Sequence, residues 1–540
     1  MNANLTLGTL NDLDATQALI ITNTGGTNRT LTLSGGGDTV AGSASTDLIF
    51  LGANGSLTIQ NGTRTLGLAL AGSGDFDTAS GASLVISSII SGNFNLAKTG
   101  VGTLTLGGAN TFGAAGKTFT LSGGTLNLNA AAALGNAGNT FVIGGGTTID
   151  NTSGAAITTS NYGVTINGDF TFTGGGTTTT RDLNLGTGAV TLGTTAGTAR
   201  TITTIAANST LRFGGVIANG TTANAIIKGG AGILTFSGTA ANTFTGGVTV
   251  NAGTLVLTKS ANVNAIAGGT LQIGNGTGSA TVQLGANEQL ANTVSVDVRS
   301  SGTFNLANFS ETIAALTLQS DTAQAASITT GTGTLTLGGD VTLNTTGTGA
   351  TGATFTGNLN LGNAARTFTV AKGSASPTAD LTISGVISST TAASGAIVKT
   401  GAGILTFSGT AANTYTGMTT VNAGELDLNK STGVLAVAGN LTIGDGTGGA
   451  NSDIVKLLAN GQIATTAAVF VNGSSGKLDL NGFTQTIASL ADTGTVTANG
   501  SSVNLGAGTL TVGDATSTTF SGNITGTGGS LVKTVPAPFR

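Results

Sequence analysis

One stretch, Ile397–Leu428, recurs along this chain, and its internal spacing limits what the chain can fold into. It carries Lys399, Gly401, Gly403, Leu405 and Phe407, then Asn413-Thr414-Tyr415-Thr416-Gly417, then Val421-Asn422-Ala423-Gly424-Glu425-Leu426-Asp427-Leu428. A close copy carries Lys228, Gly232, Leu234 and Phe236, then Asn242-Thr243-Phe244-Thr245-Gly246, then Val250-Asn251-Ala252-Gly253-Thr254-Leu255-Val256-Leu257. A looser copy has Lys98, Gly100, Leu104, Leu106, Asn110-Thr111-Phe112, Leu126 and Leu128, and a fourth begins at Leu531-Val532-Lys533-Thr534. Comparing copies separates apolar pairs from the variable residues between them. Leu104, Leu234 and Leu405 align, as do Leu106, Phe236 and Phe407, with Thr105, Thr235 and Thr406 in between. Large apolar residues two apart with threonine between them mark a half-buried strand. The second strand repeats the pattern, with Asn127, Val256 and Asp427 as its changeable outward neighbours. Glycine and β-branched residues dominate, and no stripe of helical period appears.

The leading leucine of the first strand returns in the second: Leu104 as Leu126, Leu234 as Leu255 and Leu405 as Leu426. The residues between are glycine, asparagine and threonine, which turn a chain readily. A motif that returns after roughly 20 residues fits one coil of a solenoid. The expected fold is all-β: a right-handed, single-stranded parallel β-helix. Coils at ordinary strand spacing would number about 25 and build a rod on the order of 100 Å long.

The motif resembles the autotransporter-associated β-strand repeat, also called the passenger-associated transport repeat. The residues that carry the resemblance are Lys-Thr-Gly-x-Gly-x-Leu-Thr-Phe/Leu, Asn-Thr-Tyr/Phe-x-Gly and Val-Asn-Ala-Gly-x-Leu, present in three copies and a stub. The second copy departs from it by having Gly229 after the lysine. The resemblance implies a secreted or surface-exposed bacterial β-helix, with the repeat tied to secretion of the passenger rather than to catalysis. It also implies an outer-membrane translocator or anchor in the full-length protein.

The lysines Lys98, Lys228, Lys399 and Lys533 recur at long intervals, the middle one the longest. They divide the chain into N-terminal coils over 1–93, repeat units over 94–225, 226–396 and 397–529, and the start of a fourth over 530–540. Candidate strands before the first repeat are Leu31–Leu33, Leu48–Leu51, Leu57–Ile59 and Leu84–Ile86, punctuated by clusters such as Gly35-Gly36-Gly37. Ala130–Ala133 is expected to be a bulge, and the spacer from Leu257 to Lys399 is long enough for an extra coil. A short apolar marker precedes each copy: Ile89-Ile90, Val216-Ile217, Val386-Ile387 and Asn523-Ile524. Behind the second and third copies, Leu271–Gly278 matches Leu441–Gly448, and Phe309–Leu316 matches Phe483–Leu490. There Glu311 stands against Gln485, so a charge at that place is dispensable.

Composition closes several functional classes. Only 7% of residues are charged while 39% are hydrophobic, which is unlike a disordered tail. The 91 glycines follow no three-residue period and there are 3 prolines, which excludes collagen. A net charge of −4 supplies no basic field for nucleic acid or acidic lipid. With no cysteine and no histidine, neither a disulfide framework nor a Cys/His metal site is possible, and the lack of cysteine suits passage through an oxidising periplasm. Met1–Thr6 shows no basic region followed by an apolar stretch, so no signal peptide is legible, and no apolar run is long enough for a membrane helix. Because an autotransporter needs a leader and a C-terminal barrel, a chain ending at Val535–Arg540, where a fourth repeat is due, reads as part of a longer protein or a broken gene. The competing expectation is a cytoplasmic protein without export.

No catalytic, cofactor-binding or metal-ligating residue is assigned. Gly229–Gly232 and Gly444–Gly446 lack the lysine-serine/threonine and helix of a phosphate loop and read as turns. Asp445 with Asp453, and Asp75 with Asp77, lack the dense acidic spacing of a calcium loop and read as exposed turn carboxylates. The repeat lysines precede glycine turns without acidic neighbours and read as solvated residues that discourage edge pairing. Phe236 and Phe407 fall on the inward phase and read as stacked core. Phe244 and Tyr415 fall in turns and are the candidates for an exposed sugar-stacking pair. The asparagines read as structural, bridging one coil to the next. The expected function is a non-enzymatic surface protein with a structural or adhesive role towards a glycan or protein. Its rivals are a polysaccharide-degrading enzyme, which needs clustered acids beside a base, and a secretion module without a ligand.

Overall fold

The computed structural model describes residues 3–14, 16–35, 46–175, 181–193, 198–346, 351–374, 378–391, 395–492, 500–513 and 518–534. Gly36, Gly37 and the terminal Val535–Arg540 lie outside them. The chain divides into two compact units, Met1–Gly269 and Thr270–Arg540. The described residues contain strands and turns and no helix. Every pairing between the described strands is parallel, and strands away from the sheet ends are hydrogen-bonded to a counterpart one turn earlier and one turn later. Each unit is therefore a parallel β-solenoid.

In the first unit one sheet runs through ten turns, from Ala18–Thr22 to Val248–Val250. In the second, one sheet runs through ten turns from Thr270–Ile273 to Ser489–Ala491. The expected figure of about 25 turns is too high. Turns outside the repeats vary in length, from a short step such as Val296 to Leu316 to longer ones. Register pairs Leu104 with Leu126, Leu126 with Ile149, Ile149 with Phe172, and Phe172 with Thr204, so the step lengthens once the chain leaves the repeat.

The alternation read from the sequence decides which side chains fill the interior. Leu57, Leu84, Leu104 and Leu126 stack in register through four turns, and Ile59, Ile86, Leu106 and Leu128 stack beside them, all at 0% exposure. Burying each such side chain contributes roughly 1.5–3 kcal/mol relative to leaving it in water. Aromatic residues join the stacks: Phe112, Phe119 and Phe141 sit with ring centroids 6.2 and 6.1 Å apart. All four candidate strands ahead of the first repeat lie inside strands, at Arg29–Leu33, Asp47–Leu51, Ser56–Gln60 and Ser83–Ile86. Ala130–Ala133 belongs to a turn closed by Ala133 N–H donating to Ala130 O at 3.1 Å.

A repeat is two stacked rungs, each crossing two faces. In the second copy Ile226–Gly229 pairs with Val248–Val250 on one face, and Ile233–Gly238 pairs with Gly253–Lys259 on the next. The leucines aligned in the sequence are direct cross-rung partners: Leu234 faces Leu255 and Leu405 faces Leu426. Gly253 and Gly424 open the second rung at φ +67° and +70°. A Cβ there would stand 2.5–2.7 Å from carbonyl oxygens of the rung before, so no other residue fits.

The copies do not sit on the same face. Lys98 lies on Leu96–Thr99, one face before the leucine strand Thr103–Leu106. Lys228 lies on Ile226–Gly229, which belongs to the same sheet as Thr103–Leu106. The chain from Lys98 to Lys228 thus holds whole turns plus one extra face, and the motif has moved round by that face.

Candidate functional site

Three of the four repeat lysines are inside, while Lys533 is exposed. Lys98, Lys228 and Lys399 are each 0% exposed, which corrects their reading as solvated turn residues. They stand two residues beyond the inward Leu96, Ile226 and Ile397 and so share the inward phase of their strands. The Nζ of Lys228 donates to Gly229 O, Gly230 O and Ala252 O at 2.8, 2.7 and 3.0 Å. Lys399 repeats this with Thr400 O, Gly401 O and Ala423 O at 3.0, 2.7 and 2.8 Å. Lys98 donates to Thr99 O, Gly100 O and Gly123 O. Two acceptors come from the lysine's own glycine turn and the third from the Ala-Gly or Gly-Gly turn of the following rung. All three ammonium protons are used, and among the described residues no carboxylate lies in ion-pair contact with any of the three. Burial pushes Lys228 down to about 7 and Lys98 and Lys399 down to about 8. Asp77 opposes this at Lys98, and Asp380 and Asp453 oppose it at Lys399.

A second buried lysine escaped the sequence reading. Lys259 and Lys430 end the second rungs of copies two and three at 1% exposure. Lys259 Nζ donates back to Ser237 O at 3.0 Å and to Gly215 O at 3.3 Å, and Lys430 Nζ to Ser408 O at 3.0 Å and Gly385 O at 2.9 Å. The first copy has Ala130 there. The available signal was phase: each of these lysines lies two residues past an inward leucine, Leu257 or Leu428.

The motif asparagine ties three rungs together. Asn242 Oδ1 accepts Ile217 N–H at 2.8 Å, and its Nδ2 donates to Ala265 O at 2.8 Å. Asn413 does the same with Ile387 and Ala436, and Asn110 with Ile90 and Ala133. The apolar marker noted before the first three copies is thereby explained, because its isoleucine is the rung on which the asparagine docks. The next residue strengthens the joint: Thr111, Thr243 and Thr414 donate their N–H groups to the same isoleucine carbonyls.

The turn aromatics are not a sugar platform. Phe112, Phe244 and Tyr415 are all 0% exposed. Phe244 packs edge-on against Phe236 with centroids 6.4 Å apart, and Tyr415 Oη lies 2.7 Å from Thr419 Oγ1. Each follows its asparagine by two residues, and the rung that the asparagine binds draws the ring into the core.

The acids also differ from expectation. Asp445 is exposed and caps its own turn, accepting Thr447 N–H at 2.8 Å. Asp75 and Asp453 are instead strand residues at 8% and 1% exposure. Glu311 is fully buried, its carboxyl accepting the N–H groups of Gln289 at 2.7 Å and Leu290 at 3.2 Å. Gln485 accepts from Gln462 and Ile463 in the matching place. Burial pushes Glu311 up to about 8, against the backbone N–H groups that favour its charged form. On the outer face of the third repeat the fold gathers Glu425, Asp427, Lys456, Lys477 and Asp479 on three successive strands. Lys456 Nζ is 3.5 Å from Glu425 and Lys477 Nζ is 2.9 Å from Asp479. Burial and the Glu425 carboxyl push Asp427 upward, against the pull of Lys456. Among the described residues no group of three acids stands close enough to hold a metal ion.

Paired rungs, a lysine in a cage of carbonyls and an asparagine spanning three turns belong to one class of fold, the parallel β-solenoid. Within that class the chain carries three passenger-associated transport repeats. The family model described as the passenger-associated-transport-repeat matches residues 96–128, 226–257 and 397–428, and each match covers one rung pair. No curated protein matches the chain, and no solved structure does.

Proposed function

We propose that this chain is the exported, surface-exposed passenger part of an autotransporter-like protein, with a non-enzymatic structural or adhesive role. The observation that carries the reading is the coincidence of the three family matches with the three rung pairs of the solenoid. The outward faces support it. Ser56, Ser83, Thr103, Thr125, Thr148, Thr171 and Thr203 stand in register on seven successive turns, partly exposed and uncharged. Such a face suits a neutral glycan or a polar protein surface better than a nucleic acid. In the full-length protein an outer-membrane translocator or anchor completes the assembly. Protease shaving of intact host cells tests the reading: the chain should be cleaved from the surface, and a strictly cytosolic pool would overturn it.

A second reading, a secretion module without a ligand, has one observation in its favour. What the copies share is buried, as with the lysines, asparagines and leucines. What they expose differs, as with Val101, Ala231 and Ala402 at the same turn. Deleting 226–257 and 397–428 in the full-length gene and measuring secretion apart from adhesion separates the two. The enzyme reading has the five charges around Asp427 in its favour. Incubation with a glycan panel should yield no new reducing or unsaturated ends.

A further inference from the structure

We propose that the buried lysine makes each repeat a brake on solenoid closure: its rung pair cannot dock until an ammonium group has shed its water with no carboxylate in contact to receive it. The geometry carries this. On its first rung alone, Lys228 has only the carbonyls of Gly229 and Gly230, and its third acceptor, Ala252 O, arrives with the second rung. In the finished fold the side chain is completely sealed. Moving an unpaired charge out of water is costly, and carbonyl dipoles offset only part of the loss.

The surroundings of Lys228 do not relieve it. Ile202 and Val250 stand opposite it on the adjacent strands. The ionisable residues on the neighbouring strands Arg200–Thr204, Thr210–Phe213 and Gly253–Lys259 are Arg200, Arg212 and Lys259, all cations. The second copy is therefore the strongest brake. Asp77 near Lys98, and Asp380 and Asp453 near Lys399, weaken the other two. For an exported chain, a property that rests on the passenger reading, slow closure keeps the polypeptide threadable until it has passed the membrane.

The test uses the purified full chain and so stands apart from export. The chain is refolded from denaturant, and the time at which residues 226–257 become protected is read by a pulse of hydrogen exchange and mass spectrometry. Lys228→Met keeps the apolar stem and removes the charge, and should protect 226–257 about tenfold sooner, with 397–428 unchanged as the internal control. Wild-type chain refolded at pH 9, then labelled under the same conditions, should also protect 226–257 sooner than at pH 7. The ammonium is held below its ordinary value in the fold, so less work is needed to neutralise it as pH rises. Unchanged or later protection in the variant, a variant that fails to fold, or indifference to pH would each overturn the brake and make the lysine a stabilising staple instead.

Discussion

At the scale of the residue, this solenoid places unusual side chains in its interior. Asn242 satisfies an amide of one rung and a carbonyl of another, so Asn242→Ala leaves Ile217 N–H and Ala265 O unpaired at a site 2% exposed. The expected loss is about 2–3 kcal/mol, read from the denaturant midpoint. Glu311 makes the opposite case. Its folded value is raised above that of the unfolded chain, so both states bind the proton below about 4.5 and no penalty exists there. As pH rises towards 8 the unfolded chain ionises freely and the fold must hold a proton, so stability falls across that window. Glu311→Gln should remove its share of this slope and stabilise the chain at neutral pH by up to a few kcal/mol, seen as a thermal midpoint that declines less steeply between pH 5 and 8 than in the wild type, with Asp427 left to supply the rest. Gln485 in the matching place is the same substitution already present in the chain.

At the scale of the element, the unit is the rung pair and its weak points are glycines and leucines. Gly253→Ala forces a Cβ against the carbonyls of Gly230 and Gly232 at a left-handed φ. The expected cost is at least about 1 kcal/mol, with loss of protection confined to the second rung in hydrogen exchange. Leu405→Ala should cost about 2–5 kcal/mol, because the facing Leu426 and Phe407 are held by backbone ladders and cannot collapse into the gap. The leucine strands, their phase and their pairing partners were legible because period-2 alternation and the regular return of the leucine pair are one-dimensional signals. The lysines were misread because charge was weighed above phase. Leu96-Ala97-Lys98 and Ile397-Val398-Lys399 place the third residue inward, and carbonyls turned into the corner make that position tolerable.

At the scale of the whole molecule, five of the ten lysines, Lys98, Lys228, Lys259, Lys399 and Lys430, are at most 1% exposed. An amine-reactive reagent applied to the folded chain should leave these five unmodified and label them after denaturation, as read by peptide mass spectrometry. Sequence alone determined that the chain is all-β, that it winds with a period near that of its motif, which leucines line the interior, and that it carries passenger-associated repeats. All of these follow from local alternation and from self-similarity, which survive without knowledge of any contact. Only the tertiary structure decided where polar groups go. The cage around Lys228 draws in Ala252 from the following rung, the asparagine bridge spans three turns, and Glu425 meets Lys456 across a rung. Whether a charge, an amide or an aromatic ring is inside depends on which backbone dipoles the neighbouring turn presents to it, and that is settled only when the next rung arrives.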